Sequence, residues 1–164
     1  MIVRPDQPAE AAAVHRIHEL AFGRREEADL VDNLRAEGVV LCSLVAEIEA
    51  GPAGHILFTR MWVGAGTEAV ALAPVAVLPG QQRRGIGAAL IREGLDRLRT
   101  LGEPVVLVLG EPGYYSRFGF SAEKARRLTS PFPPDAFMAL ELAPGALDGI
   151  EGPVRYAKSF GISG

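Results

Sequence analysis

The chain has 164 residues, 48% hydrophobic and 23% charged, with a net charge of −3. That is the size and composition of one globular domain with a real core, and a pI near 5.6 argues against general nucleic-acid binding, which favours basic domains. No apolar stretch is long enough to span a bilayer, the start Met1-Ile2-Val3-Arg4-Pro5-Asp6 lacks the apolar run of a secretory leader, and the lone Cys42 excludes an internal disulfide. The expectation is a single domain over 1–164 in a reducing, cytoplasmic compartment, with no nucleic acid or membrane as partner.

Ile2 to Arg4 is expected as a short first strand. Asp6 can cap a helix opening near Pro8, with Val14, Ile17, Leu20 and Ala21 as its buried stripe. A second helix, Glu26 to Ala36, places Ala28, Leu30, Val31 and Leu34 on one side, and Gly38 stops it. Leu41 to Ile48 and Gly54 to Val63 read as strands joined by the turn Glu49-Ala50-Gly51-Pro52. The next strand, Ala69 to Leu78, contains Pro74, which removes a ladder donor and marks a bulge or a departing neighbour. A helix follows from Ile86 to Leu101, with Ile86, Leu90, Ile91, Leu95 and Leu98 at helical spacing and Gly102 beyond it. Pro104 to Leu109 is a fully apolar strand, Tyr114 to Phe118 a short helical turn, and Phe137 to Leu142 and Arg155 to Phe160 late strands. Early helices, antiparallel-type strands and one strand–helix–strand crossover predict an α/β (α+β) three-layer sandwich on a mixed sheet.

The chemistry centres on Gln82-Arg83-Arg84-Gly85-Ile86-Gly87, between the strand ending at Leu78 and the Ile86 helix. The first N–H groups of a helix have no intrahelical partner and carry the positive end of its dipole. Without Cβ atoms at Gly85 and Gly87, a phosphate can approach those groups closely, and Arg83 and Arg84 add charge. A Walker loop would need Lys-Ser/Thr where Ile86-Gly87 stands, and a dinucleotide fingerprint would need a small residue where Leu90 stands. What remains, Gln-x-x-Gly-x-Gly after a strand and before a helix, resembles the acetyl-CoA pyrophosphate loop of the GNAT N-acetyltransferases. The plain alternative is a glycine-softened helix N-cap with no ligand.

Downstream, Tyr115-Ser116-Arg117-Phe118-Gly119-Phe120 is similar to the Tyr-x-Lys/Arg-x-Gly-Phe signature that follows the fifth strand in many GNAT enzymes. With Pro74 to Pro79, Leu109 to Phe120 and the tail segments Phe137 to Leu142, Pro144 to Leu147 and Gly152 to Tyr156, the chain is similar to the YhbS-type branch along almost its whole length. The resemblance implies a sheet splayed between the fourth and fifth strands and acetyl-CoA as co-substrate. It implies Val75, Ala76, Val77, Gln82, Arg83, Arg84, Gly85, Ile86, Gly87 and Ala88 as the residues that hold it. It also implies direct transfer of an acetyl group to the primary amine of a small molecule or protein, with a homodimer as one possible assembly. One family feature is missing: Gly110-Glu111-Pro112 stands where many members carry an Asn that bonds the pantetheine arm.

Tyr115 is the family-matched proton donor to the departing thiolate, since a phenol is protonated at neutral pH. The alternative for Tyr115 is a core aromatic beside Tyr114 and Phe118. No base stands out among Glu47, Glu68 and Glu111, which have the character of surface charges. His55, inside a predicted strand, reads as a satisfied half-buried histidine. His15 and His18 lie three apart on a helix without Cys, Asp or a third His at metal spacing, so no metal is expected. Two other readings stay open: transfer through an acylated Cys42, and a non-catalytic module that senses acyl-CoA.

Overall fold

Strand alternation decides how this chain stacks: successive side chains point to opposite faces of a sheet, so a sheet buried on both faces needs two apolar sets. The structure is a computed structural model describing residues 1–162. Along them run β1 (Ile2–Pro5), α1 (Ala11–Phe22), α2 (Glu26–Glu37), β2 (Val40–Ile48), β3 (Gly51–Val63) and β4 (Thr67–Val77). Then follow α3 (Ile86–Thr100), β5 (Val105–Leu109), α4 (Pro112–Tyr115), β6 (Leu128–Thr129), β7 (Phe137–Glu141) and β8 (Gly152–Arg155). Leu44, Ile56, Phe58, Val70, Leu72 and Val106 pack on one face against Leu90, Ile91, Leu95 and Leu98 of α3. Val45 and Leu57 point the other way, onto Val14 of α1 and Val31 and Leu34 of α2. The predicted three-layer sandwich is the outcome, each buried Leu, Ile or Phe contributing about 1.5–3 kcal/mol of apolar transfer. No helix among the described residues is long and apolar enough to cross a membrane.

The sheet runs β1-β2-β3-β4-β5-β7, with β8 pairing the end of β3. Neighbours along this path are antiparallel except β4 and β5, which are parallel because α3 carries the chain back across the sheet; off it, β6 pairs β8 in parallel. The β4–β5 ladder registers at Val70↔Val106 and Ala71↔Leu107, while β4 continues to Val77, so the two strands part there as expected. The bulge sits at the same place. Between Ile56↔Val75 and Phe58↔Leu72, Leu57 alone opposes Ala73 and Pro74. Pro74, with no N–H to give, marks where the sheet opens.

Three local expectations are corrected. Asp6 does not cap the first helix; Gln7 precedes a short 3-10 turn, Pro8–Glu10, and its N–H donates to the Glu10 carboxylate at 2.9 Å. Asp6 instead accepts from Arg35 of α2 at 2.6 Å. Leu20 is 44% exposed and His18 is fully buried in its place. At 3.6 residues per turn, position 20 falls about 120° from the line through 14, 17, 18 and 21. The late strand expected over Arg155 to Phe160 is Gly152–Arg155, antiparallel to Trp62 and Val63, and Lys158–Phe160 is a 3-10 turn. The Tyr156 and Phe160 rings meet at 5.2 Å, four residues apart, a spacing that a turn closes and a strand cannot.

Candidate active site at the sheet splay

Gly85 stands at the N-cap of α3 with φ +81°, and Arg83 before it has φ +65°. A left-handed conformation is uncommon for a residue other than glycine, so the loop is shaped around the helix start. The first α-type bond of α3 is Ala89 N–H to Gly85 O at 3.0 Å, which leaves the N–H groups of Ile86, Gly87 and Ala88 without intrahelical acceptors. Next to them, the free edge of β4 can be read from its hydrogen bonds. Leu78 N–H donates to Ala53 O at 2.8 Å, toward β3. By alternation, the backbone groups of Val77 and Val75 face away from β3, into the splay. The Val77 carbonyl there accepts from the Gln82 side chain at 3.1 Å, which ties the loop to the strand.

Val75, Ala76, Val77, Gln82, Arg83, Gly85, Ile86, Gly87 and Ala88 all line one cleft of about 620 Å³. Arg84 does not: its guanidinium turns to the Gln81 side chain at 3.5 Å. Three lining residues escaped the sequence reading, namely Gln81, Tyr114 and Arg117. A Cβ on Gly87 would lie 3.1 Å from the Tyr114 hydroxyl, so that phenol closes the cleft opposite the helix start. Arg117 stacks over the Tyr114 ring at 5.3 Å and adds a second cation to Arg83.

A second cavity, also about 620 Å³, opens on the α1–α2 side of the splay. It takes Leu72 to Val75 from β4, Leu107 and Leu109 from β5, Phe22, Arg24, Glu27 and Leu30 from the α1–α2 corner, and Phe132, Tyr156 and Phe160 from the late segments. Val75 lines both cavities. Tyr115 lines the second one, so the adjacent tyrosines of α4 serve different cavities. Tyr115 is 9% exposed, edge-on to Tyr114 at 5.1 Å and to Phe120 at 5.9 Å. Gly110 makes room for it, since a Cβ there would run into the Tyr115 ring. Burial pushes the Tyr115 hydroxyl up to about 12 and that of Tyr114 upward as well.

None of the three glutamates considered as bases lines either cavity. Glu47 bonds Arg4 at 3.0 Å, Glu68 lies 3.8 Å from Arg60, and Glu111 is exposed ahead of α4. The carboxylate that does line the second cavity is Glu27, bonded by Arg24 at 2.9 and 2.5 Å and held below the usual carboxylate range by it. His55 is fully rather than half buried, between His18 at 2.7 Å and Ser43 at 2.8 Å, and burial drives it well below the ordinary imidazole range. His15 parts from His18 and bonds Asp32 at 2.9 Å, with Asp29 within 4.8 Å, a grouping across two helices that sequence spacing hid. Cys42 lines a separate cavity with Glu93, Asp96 and Arg97, sharing no lining residue with the other two, and burial pushes its thiol up to about 11.

The Acetyltransferase (GNAT) family model matches residues 11–120. The chain is 35% identical over 164 residues to the uncharacterized N-acetyltransferase YhbS of Escherichia coli K12, with 98% of each chain covered. It is 39% identical over 117 residues to the uncharacterized N-acetyltransferase YjhQ of the same strain, covering 68% of this chain and 65% of that one. Among solved structures, Escherichia coli YhbS in complex with CoA superposes with a TM-score of 0.91 at 34% identity, over 99% of this chain and 93% of that one. A GNAT family acetyltransferase of Brucella melitensis in complex with acetyl-CoA gives 0.83 at 36% identity, over 97% of both.

Proposed function

The chain belongs to the GNAT acetyltransferase family, and from that premise we propose that it is an N-acetyltransferase passing an acetyl group from acetyl-CoA directly to a primary amine. The observation that carries the reading is the meeting of two cavities at Val75, where β4 and β5 part. The first cleft fits acetyl-CoA: its glycines leave the start of α3 bare, and its cations, Arg83 and Arg117, answer phosphate charge. The N–H groups of Ile86, Gly87 and Ala88 would hold the pyrophosphate, and the free edge of Val75 and Val77 the pantetheine arm. Bound acetyl-CoA supplies the acetyl group as a thioester. A β4 N–H at Val75 or Val77 would polarise a carbonyl in the splay. Tyr115, which lines the second cavity as Val75 does, holds a proton for the departing thiolate. Residues 1–164 would act as one domain in the cytoplasm, where the free thiol of Cys42 stays reduced.

The test is acceptor-dependent release of the CoA thiol across a panel of amines. Sequential kinetics, and undiminished turnover in Cys42→Ser, are expected, because a half-buried thiol with a raised pKa carries little thiolate. Tight acetyl-CoA binding without turnover against any amine would favour the sensor reading instead. The pH profile adds a sign. A proton donor works while protonated, and the Tyr115 hydroxyl at about 12 keeps its proton through the usual assay range. The kcat profile should therefore rise as the bound amine deprotonates and show no falling limb up to about pH 10. A falling limb at pH 8–9 would point to a different acid.

A further inference from the structure

Resting on the transferase reading above, we infer that the acceptor is a primary monoamine carried on an uncharged, apolar body that fills the cavity on the α1–α2 side of the splay. The walls of that cavity are apolar and largely aromatic: Phe22, Leu30, Leu109, Phe132, Tyr156 and Phe160. The late aromatics hold one another, Tyr156 edge-on to Phe132 at 5.9 Å and to Phe160 at 5.2 Å, so they present a preformed surface rather than loose side chains. Two ionised side chains line the cavity, Arg24 and Glu27, and they bond each other at 2.9 and 2.5 Å. Each charge is already answered. A second ammonium or a carboxylate would shed water on entering and meet no unpaired opposite charge, and a row of sugar hydroxyls would find only the Tyr115 and Tyr156 phenols among the side chains of the apolar walls. A phenyl ring or a short alkyl chain would meet only surface of its own kind. The volume of about 620 Å³ lies in the range of small-ligand sites and leaves the amine at the Val75 end, where the cofactor cleft begins. The cofactor cleft is the opposite in character, with Arg83, Arg117, Gln81 and Gln82 in its walls.

The same chemistry is presented by a free amine and by a peptide N-terminus led by an apolar residue, and the test separates them. At saturating acetyl-CoA, kcat/KM is measured for phenethylamine, hexylamine, a tripeptide amide led by Phe, spermidine and glucosamine. Phenethylamine and hexylamine should exceed spermidine and glucosamine by about tenfold or more, the low end of what burying an apolar group is worth in discrimination. A peptide surpassing phenethylamine assigns the acceptor to a polypeptide N-terminus; a peptide falling below it assigns a free amine; both support the apolar body. Phe132→Ala should raise the KM for phenethylamine about tenfold with the Kd for acetyl-CoA unmoved. Should that variant fail to fold, Leu109→Ser at a 44% exposed position gives the same readout. Spermidine or glucosamine matching phenethylamine, or a KM that neither variant moves, overturns the inference and leaves the transferase reading standing. No turnover with any acceptor, though acetyl-CoA binds, overturns both.

Discussion

Gly87→Val is expected to weaken acetyl-CoA roughly 100-fold while the fold survives. Gly87 lies in the first turn of α3 with an ordinary helical backbone, so valine meets no conformational barrier there. The obstacle is space. The new Cβ would stand 3.1 Å from the Tyr114 hydroxyl and 3.8 Å from Val77 Cγ2, with two methyl groups still to place. Tyr114 cannot readily yield, because Tyr115 and Phe118 pack edge-on against it and Arg117 covers its face. The methyls are left to fill the cleft in front of the α3 N–H groups. Losing one or two hydrogen bonds to a charged group, each worth about 1.5–3 kcal/mol, corresponds to the stated loss. Arg83→Ala should act more weakly and reduce the salt dependence, since Arg83 is an exposed charge in the lining and screening acts on such charges. Arg84→Ala should do less still, because that guanidinium faces Gln81. Calorimetry on the folded variants checks the series; a Gly87→Val protein that binds like wild type would show that the start of α3 is no phosphate cradle.

The cleft at the start of α3 was legible in the sequence because its parts are local. A glycine before a helix, a second two residues on inside its first turn and a proline inside the preceding strand each impose geometry on their own neighbours, and the cleft is the sum of those demands. The second cavity had no such signal. Phe22, Phe132, Tyr156 and Phe160 come together from three segments far apart in sequence, and an aromatic residue in a loop says nothing about which others it will meet. Glu27 was passed over for the same reason, being one of several acids at the start of α2. Periodicity placed α1 but not its capping residue or all of its stripe, because Arg35 competes for Asp6 and His55 draws His18 inward. The Tyr114-Tyr115 pair falls between these cases. The motif marks the turn, but only the fold separates the two hydroxyls, one over Gly87 and one in the other cavity.

That separation makes the strongest kinetic prediction. Tyr115→Phe should lower kcat by roughly 10²–10⁴-fold, the usual contribution of a positioned acid. The ring stays, and with it the contacts to Phe120 and Tyr114 and the fit against Gly110, so the melting temperature should hold. Acetyl-CoA affinity should also hold, because a proton given only as the thiolate departs is not part of ground-state binding. A purely structural Tyr115 would show the reverse: a lower melting temperature with little kinetic loss. Chemistry must limit turnover for the comparison to read correctly, since slow product release would mask the step, and a pre-steady-state burst experiment establishes which applies. Tyr114→Phe is the matched control. Its hydroxyl stands beside Gly87 in the cofactor cleft, so its removal should alter acetyl-CoA affinity and spare kcat. If instead Tyr115→Phe keeps most of its kcat, the donor is not Tyr115, and solvent in the splay must deliver the proton.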